Sequence, residues 1–251
     1  MIQFFRRIRQ KLLTEGKLSK YLIYAIGEIA LVMIGILLAL QVSNWNESRK
    51  EKIHENTVTL ELAKELNQNQ TYIKGEIEYT ENRIAALKEL LALTATVNPN
   101  ITYDDFNRLY SFASGYQEFI PIDYKLGKIL NNEDFKFARS ERLHNNLLAY
   151  SSHLAQALEY YQYNVDTYKE VNQPFLISNY PLRDFLWLPD EIRGSRHSID
   201  HLSLIQTREF ESLLANIYAD VINYHRHLMS MISDLQNIQV IIDEDYNFKK
   251  S

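Results

Sequence analysis

Tyr21–Val42 reads YLIYAIGEIALVMIGILLALQV, and this stretch decides how the rest of the chain is read. It is apolar over about 22 residues, carries one carboxylate at Glu28, and is followed by Trp45. At a rise of about 1.5 Å per residue it makes a helix of about 33 Å, enough for a hydrocarbon core of about 30 Å. A membrane-spanning helix over residues 21–45 is the direct expectation.

Working outward, the flanks set the orientation. Arg6, Arg7, Arg9, Lys11, Lys17 and Lys20 precede the span against one acid, Glu15, whereas Arg49, Lys50 and Lys52 follow it interleaved with Glu47 and Glu51. The excess of basic residues on the N-terminal side places residues 1–20 in the cytoplasm and residues 46–251 across the membrane. The expected address is a bacterial inner membrane crossed once, with the bulk of the chain periplasmic. Tyr21, Tyr24 and Trp45 suit the two interfacial aromatic belts. A cleaved signal peptide is the rival reading. Its apolar core runs about 7–15 residues and closes on a small-residue site, which Leu38-Ala39-Leu40-Gln41 does not resemble.

Ahead of the span, Phe4, Phe5, Ile8 and Leu12 fall on one helical stripe flanked by Arg6, Arg7, Arg9 and Lys11. That pattern predicts a short helix in the headgroup layer, its basic residues on anionic lipid, stopped near Gly16. Enforcement of topology alone is the plainer alternative for the same charges.

Glu28 lies about 10 Å into the span, on insertion scales that charge about 2.5–3.5 kcal/mol for an ionised group at mid-membrane. Protonation, a reach back toward the headgroups and Tyr24, or a polar partner on another helix would each lower that cost. Glu28, Gly35 and Ala39 share a face with Leu31 and Val32, and Gly35-x-x-x-Ala39 is a small-xxx-small pair that admits a second helix backbone. The expectation is a membrane-helix packing surface; a tolerated acid near the interface, with small residues scattered by chance, stands beside it.

Lys20-Tyr21, Tyr24-Ala25-Ile26-Gly27-Glu28-Ile29, Ile34-Gly35-Ile36-Leu37-Leu38-Ala39-Leu40-Gln41 and Asn44-Trp45-Asn46-Glu47 together carry a resemblance. They are similar to the N-terminal signature of a single-pass envelope protein family of Bacteroidota, catalogued as a domain of unknown function. The likeness is specific over residues 4–50 and looser beyond, resting there on Tyr124-Lys125-Leu126-Gly127 and Asn131-Asn132. It implies a basic head, one span and a helical extracytoplasmic region. It brings neither an activity nor catalytic residues.

The remainder, residues 46–251, is the length of one domain. It holds 21 Lys and Arg against 30 Asp and Glu, an acidic balance that argues against nucleic acid as a partner. The chain contains no Cys, so disulfides and thiolate metal sites are excluded. Seven Gly and five Pro leave long stretches free for helix.

Three amphipathic patterns stand out. Leu62, Leu66, Ile73, Ile77, Ile84, Leu87 and Leu91 recur at intervals of threes and fours, with Asn69 and Thr80 filling gaps in the stripe. This helix is expected to continue the membrane span to about Thr96, with a bend or close crossing at Gly75. The second pattern is Leu143, Leu147, Tyr150, Leu154, Leu158, Tyr161, Val165 and Tyr168, closing before Pro174; the third runs from Phe210 to Ile242 and is capped by Thr207. Thr102-Tyr103-Asp104-Asp105 predicts a capped short helix to Phe112, and another covers Asp123–Leu130. No rod buries its stripe alone. The expected fold is therefore all-α: an N-terminal transmembrane helix continuing towards an elongated up-down bundle, with residues 103–130 covering one end or forming a partial fourth limb.

Candidate chemistry is sparse. His197 and His201 stand four apart with Asp200 between them, His225 and His227 add two more, and Asp184, Asp190 or Glu191 offers a third ligand type. Exposed or capping histidines are the plainer reading, and neither a metal nor another cofactor is expected. Serine-nucleophile motifs, phosphate-cradling glycine loops and dinucleotide fingerprints are missing. Tyr160, Tyr161, Tyr163 and Tyr168 combine core packing with a groove reading. The loop from Phe175 to Trp187 holds too many apolar groups for free solution. Tyr180, Phe185 and Trp187 either fold over the bundle end or form a recognition loop for another protein.

Three functional classes follow. The leading one is a non-catalytic envelope interaction or scaffold protein, held in the lipid bilayer as part of a homo-oligomer or a complex with other envelope membrane proteins. A periplasmic ligand-sensing bundle acting through a partner is the second. A metal-dependent hydrolase built on His197 and His201 is the third.

Overall fold

A computed structural model describes residues 18–131, 140–185 and 188–246. Among them there is helix and irregular connection but no strand. The elements are α1 (Leu18–Thr94), α2 (Tyr103–Ser114), α3 (Tyr124–Leu130), α4 (Glu141–Thr167), a π-helical turn (Tyr168–Asn172), α5 (Gln173–Asn179), a 3-10 turn (Leu182–Asp184), α6 (His201–Ile205) and α7 (Arg208–Tyr246). The chain divides between Thr57 and Val58 into two compact units, and α1 runs through both. The basic segment, with Arg6, Arg7, Arg9 and Lys11, lies outside the described residues.

In the first unit the described chain is α1 alone. Proline-free and dominated by Leu, Ile and Ala, it has no local reason to break. Its large apolar side chains face outward, Ile23 and Leu31 both at 71% exposure. Among the described residues this is the helix long and apolar enough to cross a membrane, and none of its apolar window is buried.

In the second unit α1 presents the expected stripe. Leu62, Leu66, Ile73, Ile84 and Leu87 are buried, and Asn69 and Thr80 are buried with them. The helix ends at Thr94, close to the expected stop, and Thr94 Oγ1 donates back to the Leu91 carbonyl. α2 and α7 start where their caps predict: Thr102 Oγ1 accepts from Asp105 N at 3.1 Å and Thr207 Oγ1 from Phe210 N at 3.2 Å. Ser140 caps α4 in the same way.

α4 departs from expectation in two places. Leu158 is turned out and Ala157 takes its place in the core, because two successive steps of four, Tyr150 to Leu154 to Leu158, overrun a 3.6-residue turn, whereas a step of three from Leu154 stays on the buried face. The helical path also does not close before Pro174. It passes through the π-helical turn and restarts as α5, with Pro174 in the first turn, where a missing N–H costs nothing.

Paired side chains fix the directions of the limbs. Arg142–Glu244 at 3.0 Å, His153–Asp234 at 2.5 Å and Thr167–Asp220 at 2.6 Å step in opposite senses along α4 and α7, so these helices are antiparallel. Leu62, Leu66 and Ile73 of α1 share one core cluster with Leu235 and Ile242 of α7, and Ile84, Leu87 and Leu90 share the other with Phe210 and Leu214, so α7 is antiparallel to α1 as well. Thr80–His225 at 2.9 Å and Glu76–Tyr224 at 3.3 Å link the two helices. Between α1 and α4 the chain makes a return limb. Arg83 meets Ala113, Glu76 meets Gln117, Tyr72 meets Glu118, Asn69 meets Ile122 and Glu65 meets Lys125. The result is an up-down-up-down bundle whose second limb is two short helices joined by an extended stretch. Its core falls into two clusters, one around Leu62, Ile73, Leu143, Tyr150 and Leu228, the other around Leu87, Phe106, Tyr110, Phe185 and Phe210. Each such apolar side chain, once buried, contributes about 1.5–3 kcal/mol.

Candidate functional site

The extended stretch between α2 and α3 has no helical bonds of its own, so its backbone groups need partners. α1 supplies them from one face. Asn69 holds Ile122, and the Tyr72 hydroxyl donates to Glu118 O at 2.7 Å and accepts from Ile120 N at 3.0 Å. On the same face Glu65 caps the first turn of α3, accepting from Lys125 N at 2.8 Å and Leu126 N at 3.0 Å. Glu76 accepts from Gln117 Nε2 and from the Tyr224 hydroxyl. Burial raises the Glu76 carboxyl above its ordinary range, a push partly opposed by those two hydrogen bonds and by Arg83. Polar residues on this face of α1 are thus the seats of the extended stretch and of the start of α3.

Beside this ladder lies a cleft of about 560 Å³. Tyr79 from α1, Arg108, Ser111 and Phe112 from α2, Tyr116 from the extended stretch and Tyr168 from the π-helical turn line it. Tyr79 and Phe112 are 5.8 Å apart between ring centroids at 52°, and Tyr116 and Tyr168 are 5.2 Å apart at 68°. Arg108 reaches Asp105 at 3.5 Å with most of its side chain in solvent. Arg83 stands beside Tyr79, its guanidinium carbon 5.8 Å from the ring centroid. Burial raises the hydroxyls of both Tyr79 and Tyr168 above the ordinary tyrosine range.

Tyr168 also lines a second, much smaller cavity with Arg83, Ser114, Thr167, Asn172 and Asp220. Its volume of about 10 Å³ is near that of one water. Ser114 Oγ and Asn172 Oδ1 are buried there without a protein hydrogen-bond partner. Arg83 spends its guanidinium on the Ala113 carbonyl at 3.3 Å and 3.4 Å.

The other candidates resolve individually. Tyr180 and Phe185 are 5% and 0% exposed and pack over the bundle end with Tyr103, Tyr110 and Phe210; Trp187 lies outside the described residues. Asp184 accepts from the Tyr103 hydroxyl at 2.6 Å and Ser195 N at 2.7 Å. Burial first, and that carboxylate second, push the Tyr103 hydroxyl up to about 12. His201 Nε2 faces the Ile101 carbonyl at 3.0 Å, while His197 is exposed. Among the described residues no three His, Asp or Glu side chains converge on a metal position. His225 sits on Thr80 and His227 stacks on Tyr160 at 4.6 Å, so these two point to different neighbours. In the apolar part of α1, Glu28 is half-exposed, Ala39 is exposed, and a Cβ built on Gly35 meets no atom within 4 Å.

Sequence reasoning singled out Tyr168 as a stripe residue but passed over Tyr79, Arg108, Phe112 and Tyr116. The available signal was Arg108 and Phe112, one helical turn apart on a helix that stops at Ser114-Gly115. Compared with protein-family models, curated proteins and solved structures, the chain matches none.

Proposed function

We propose that this chain is a single-pass protein of a bacterial inner membrane, its N-terminus cytoplasmic and its helical bundle periplasmic. It works without catalysis, as an interaction or scaffold subunit of a homo- or hetero-oligomeric membrane complex. One observation carries the reading: the apolar window of α1 is wholly unburied. An apolar surface of that size is covered by lipid or by another chain, not left in water. The basic excess before the span supports the orientation, and the resemblance of residues 4–50 to a single-pass envelope family supports the address.

The subunit role draws on the face formed by Glu28, Gly35 and Ala39. Small residues let helix backbones approach, and a carboxylate within the span gains from a polar neighbour on a second helix. The non-catalytic reading draws on the polar groups of the second unit, where Glu65, Asn69, Asp184 and His201 each serve a backbone group.

The chain has no Cys, so single-cysteine substitutions report cleanly. In native membranes, Gly35→Cys and Ala39→Cys should crosslink to a second copy or to one fixed partner, and Leu37→Cys, on the opposite face, should not. A C-terminal reporter should be active only outside the cytoplasm. Monomer alone at all three positions removes the subunit reading, and a cytosolic reporter signal removes the topology.

A further inference from the structure

The cleft between α1 and α2 has the make-up of a small-molecule site. Its volume of about 560 Å³ falls within the range of ligand pockets, about 300–1,000 Å³. Four of its walls are aromatic rings, which offer large, stiff contact surfaces. One wall, Tyr168, opens the π-helical turn, a distortion that proteins retain where a side chain must be re-aimed and that recurs at functional sites.

Charge narrows the ligand class. Among the described lining residues, Arg108 is the one ionised at neutral pH. Its partner Asp105 is a solvent-exposed neighbour at 3.5 Å, a loose pairing that an incoming carboxylate replaces with a two-pronged one. Arg83 stands 5.8 Å from the Tyr79 ring centroid, so this part of the wall already serves a cation. A second cation is disfavoured and an anion favoured.

Spacing narrows it further. Arg108 and Phe112 are one turn apart on one face of α2, which separates their Cβ atoms by about 5–6 Å. That separation suits a ligand whose carboxylate and aromatic ring are joined by a linker of one to three atoms. We infer that the cleft binds a small aromatic carboxylate, its ring against Tyr79, Phe112 and Tyr116 and its carboxylate on the Arg108 guanidinium. This stands apart from the membrane and subunit reading, since every lining residue belongs to the second unit.

The test uses the full-length chain in lipid nanodiscs, with empty nanodiscs as the blank, and 3-phenylpropionate as the probe against its neutral analogue 3-phenylpropanol. Calorimetry should show saturable submillimolar binding of the acid and weaker binding of the alcohol. Arg108→Gln should weaken the acid by about ten-fold, as loss of a charge-assisted pair does, and leave the alcohol unchanged. Phe112→Ala should weaken both. Arg108 and Phe112 are both exposed, so circular dichroism melts should match the parent chain. Absence of saturable binding, equal affinity for acid and alcohol, or indifference to both substitutions overturns the proposal.

Discussion

Asn69 clasps Ile122 with both ends of its amide. Its Nδ2 donates to the Ile122 carbonyl at 2.5 Å, and its Oδ1 accepts from the Ile122 N–H at 2.9 Å, the two bonds that a neighbouring β-strand would supply. One buried side chain on a helix thereby satisfies both backbone groups of a residue far along the chain, and the same Nδ2 lies 3.2 Å from the Tyr150 hydroxyl on α4. Three of the four limbs meet at this amide.

Asn69→Ala therefore removes partners from backbone groups in a largely buried place. Leaving such groups unpaired costs about 1–3 kcal/mol. Urea denaturation of the full chain should show an unfolding free energy lowered by that amount, with Asn69→Leu no better, because the loss is of hydrogen bonds and not of volume.

Much of the bundle was legible before the structure. The stripe from Leu62 to Leu87 was readable because a buried face repeats at the helical period, and the caps at Thr102 and Thr207 because a side-chain oxygen marks the turn where orphan amides begin. Residues 115–123 were not legible as a limb. They have no period, and their backbone is held by Asn69 and Tyr72 across a wide gap in sequence, while Glu65 caps the first turn of α3 behind them. The trace they leave is indirect, as polar residues seated in an otherwise apolar stripe. The cleft was hidden for a related reason: its walls come from four separate segments, and only Tyr168 lay on a pattern. The π-helical turn leaves no periodic mark, and Pro174 suggested a stop where the chain in fact restarts a helix.

Tyr110 is fully buried in the second cluster, and its hydroxyl has no hydrogen-bond partner. Burial also raises that hydroxyl well above the ordinary tyrosine range. The ring packs on Phe106, Tyr180 and Phe210, so the aromatic body is useful and the oxygen is a cost. Tyr110→Phe should be neutral to stabilising, by up to about 1 kcal/mol, since it deletes an unsatisfied polar atom and keeps the ring. A thermal or urea midpoint clearly below the parent chain would show that the hydroxyl is needed.

Glu76 provides a pH test. Burial is the first cause of its raised carboxyl, so the folded chain holds this proton more tightly than the unfolded chain does. Stability from this group is fully present below the unfolded carboxylate range and is lost as pH rises through the folded value. Glu76→Gln should thus flatten this part of the profile. Relative to the parent, the variant should look most favourable at neutral pH, with the advantage shrinking toward pH values of about 4. Denaturation midpoints of both chains across that range check the sign, which Arg83, Tyr79 and Tyr224 modulate but do not reverse.

The membrane reading makes a graded prediction at the centre of the span. The stretch from Tyr21 to Val42 holds a dozen Leu, Ile and Val residues. With Glu28 protonated or turned back to the headgroups, they favour insertion, at about 0.3–0.6 kcal/mol each, by about 4–7 kcal/mol in all. Leu31 sits at the middle and is 71% exposed, so a lysine there meets the full cost of a central charge, about 2.5–3.5 kcal/mol. Leu31→Lys alone leaves insertion favourable, and the variant should stay with the membrane after carbonate washing. Adding Ile34→Lys roughly doubles the cost to about 5–7 kcal/mol, which cancels the gain, and the double variant should leave the membrane fraction. If both variants stay bound as firmly as the parent, contacts other than a lipid-embedded span hold the chain to the membrane. If the single variant is already released, the anchor is weaker than its composition implies and other contacts assist it in the parent chain.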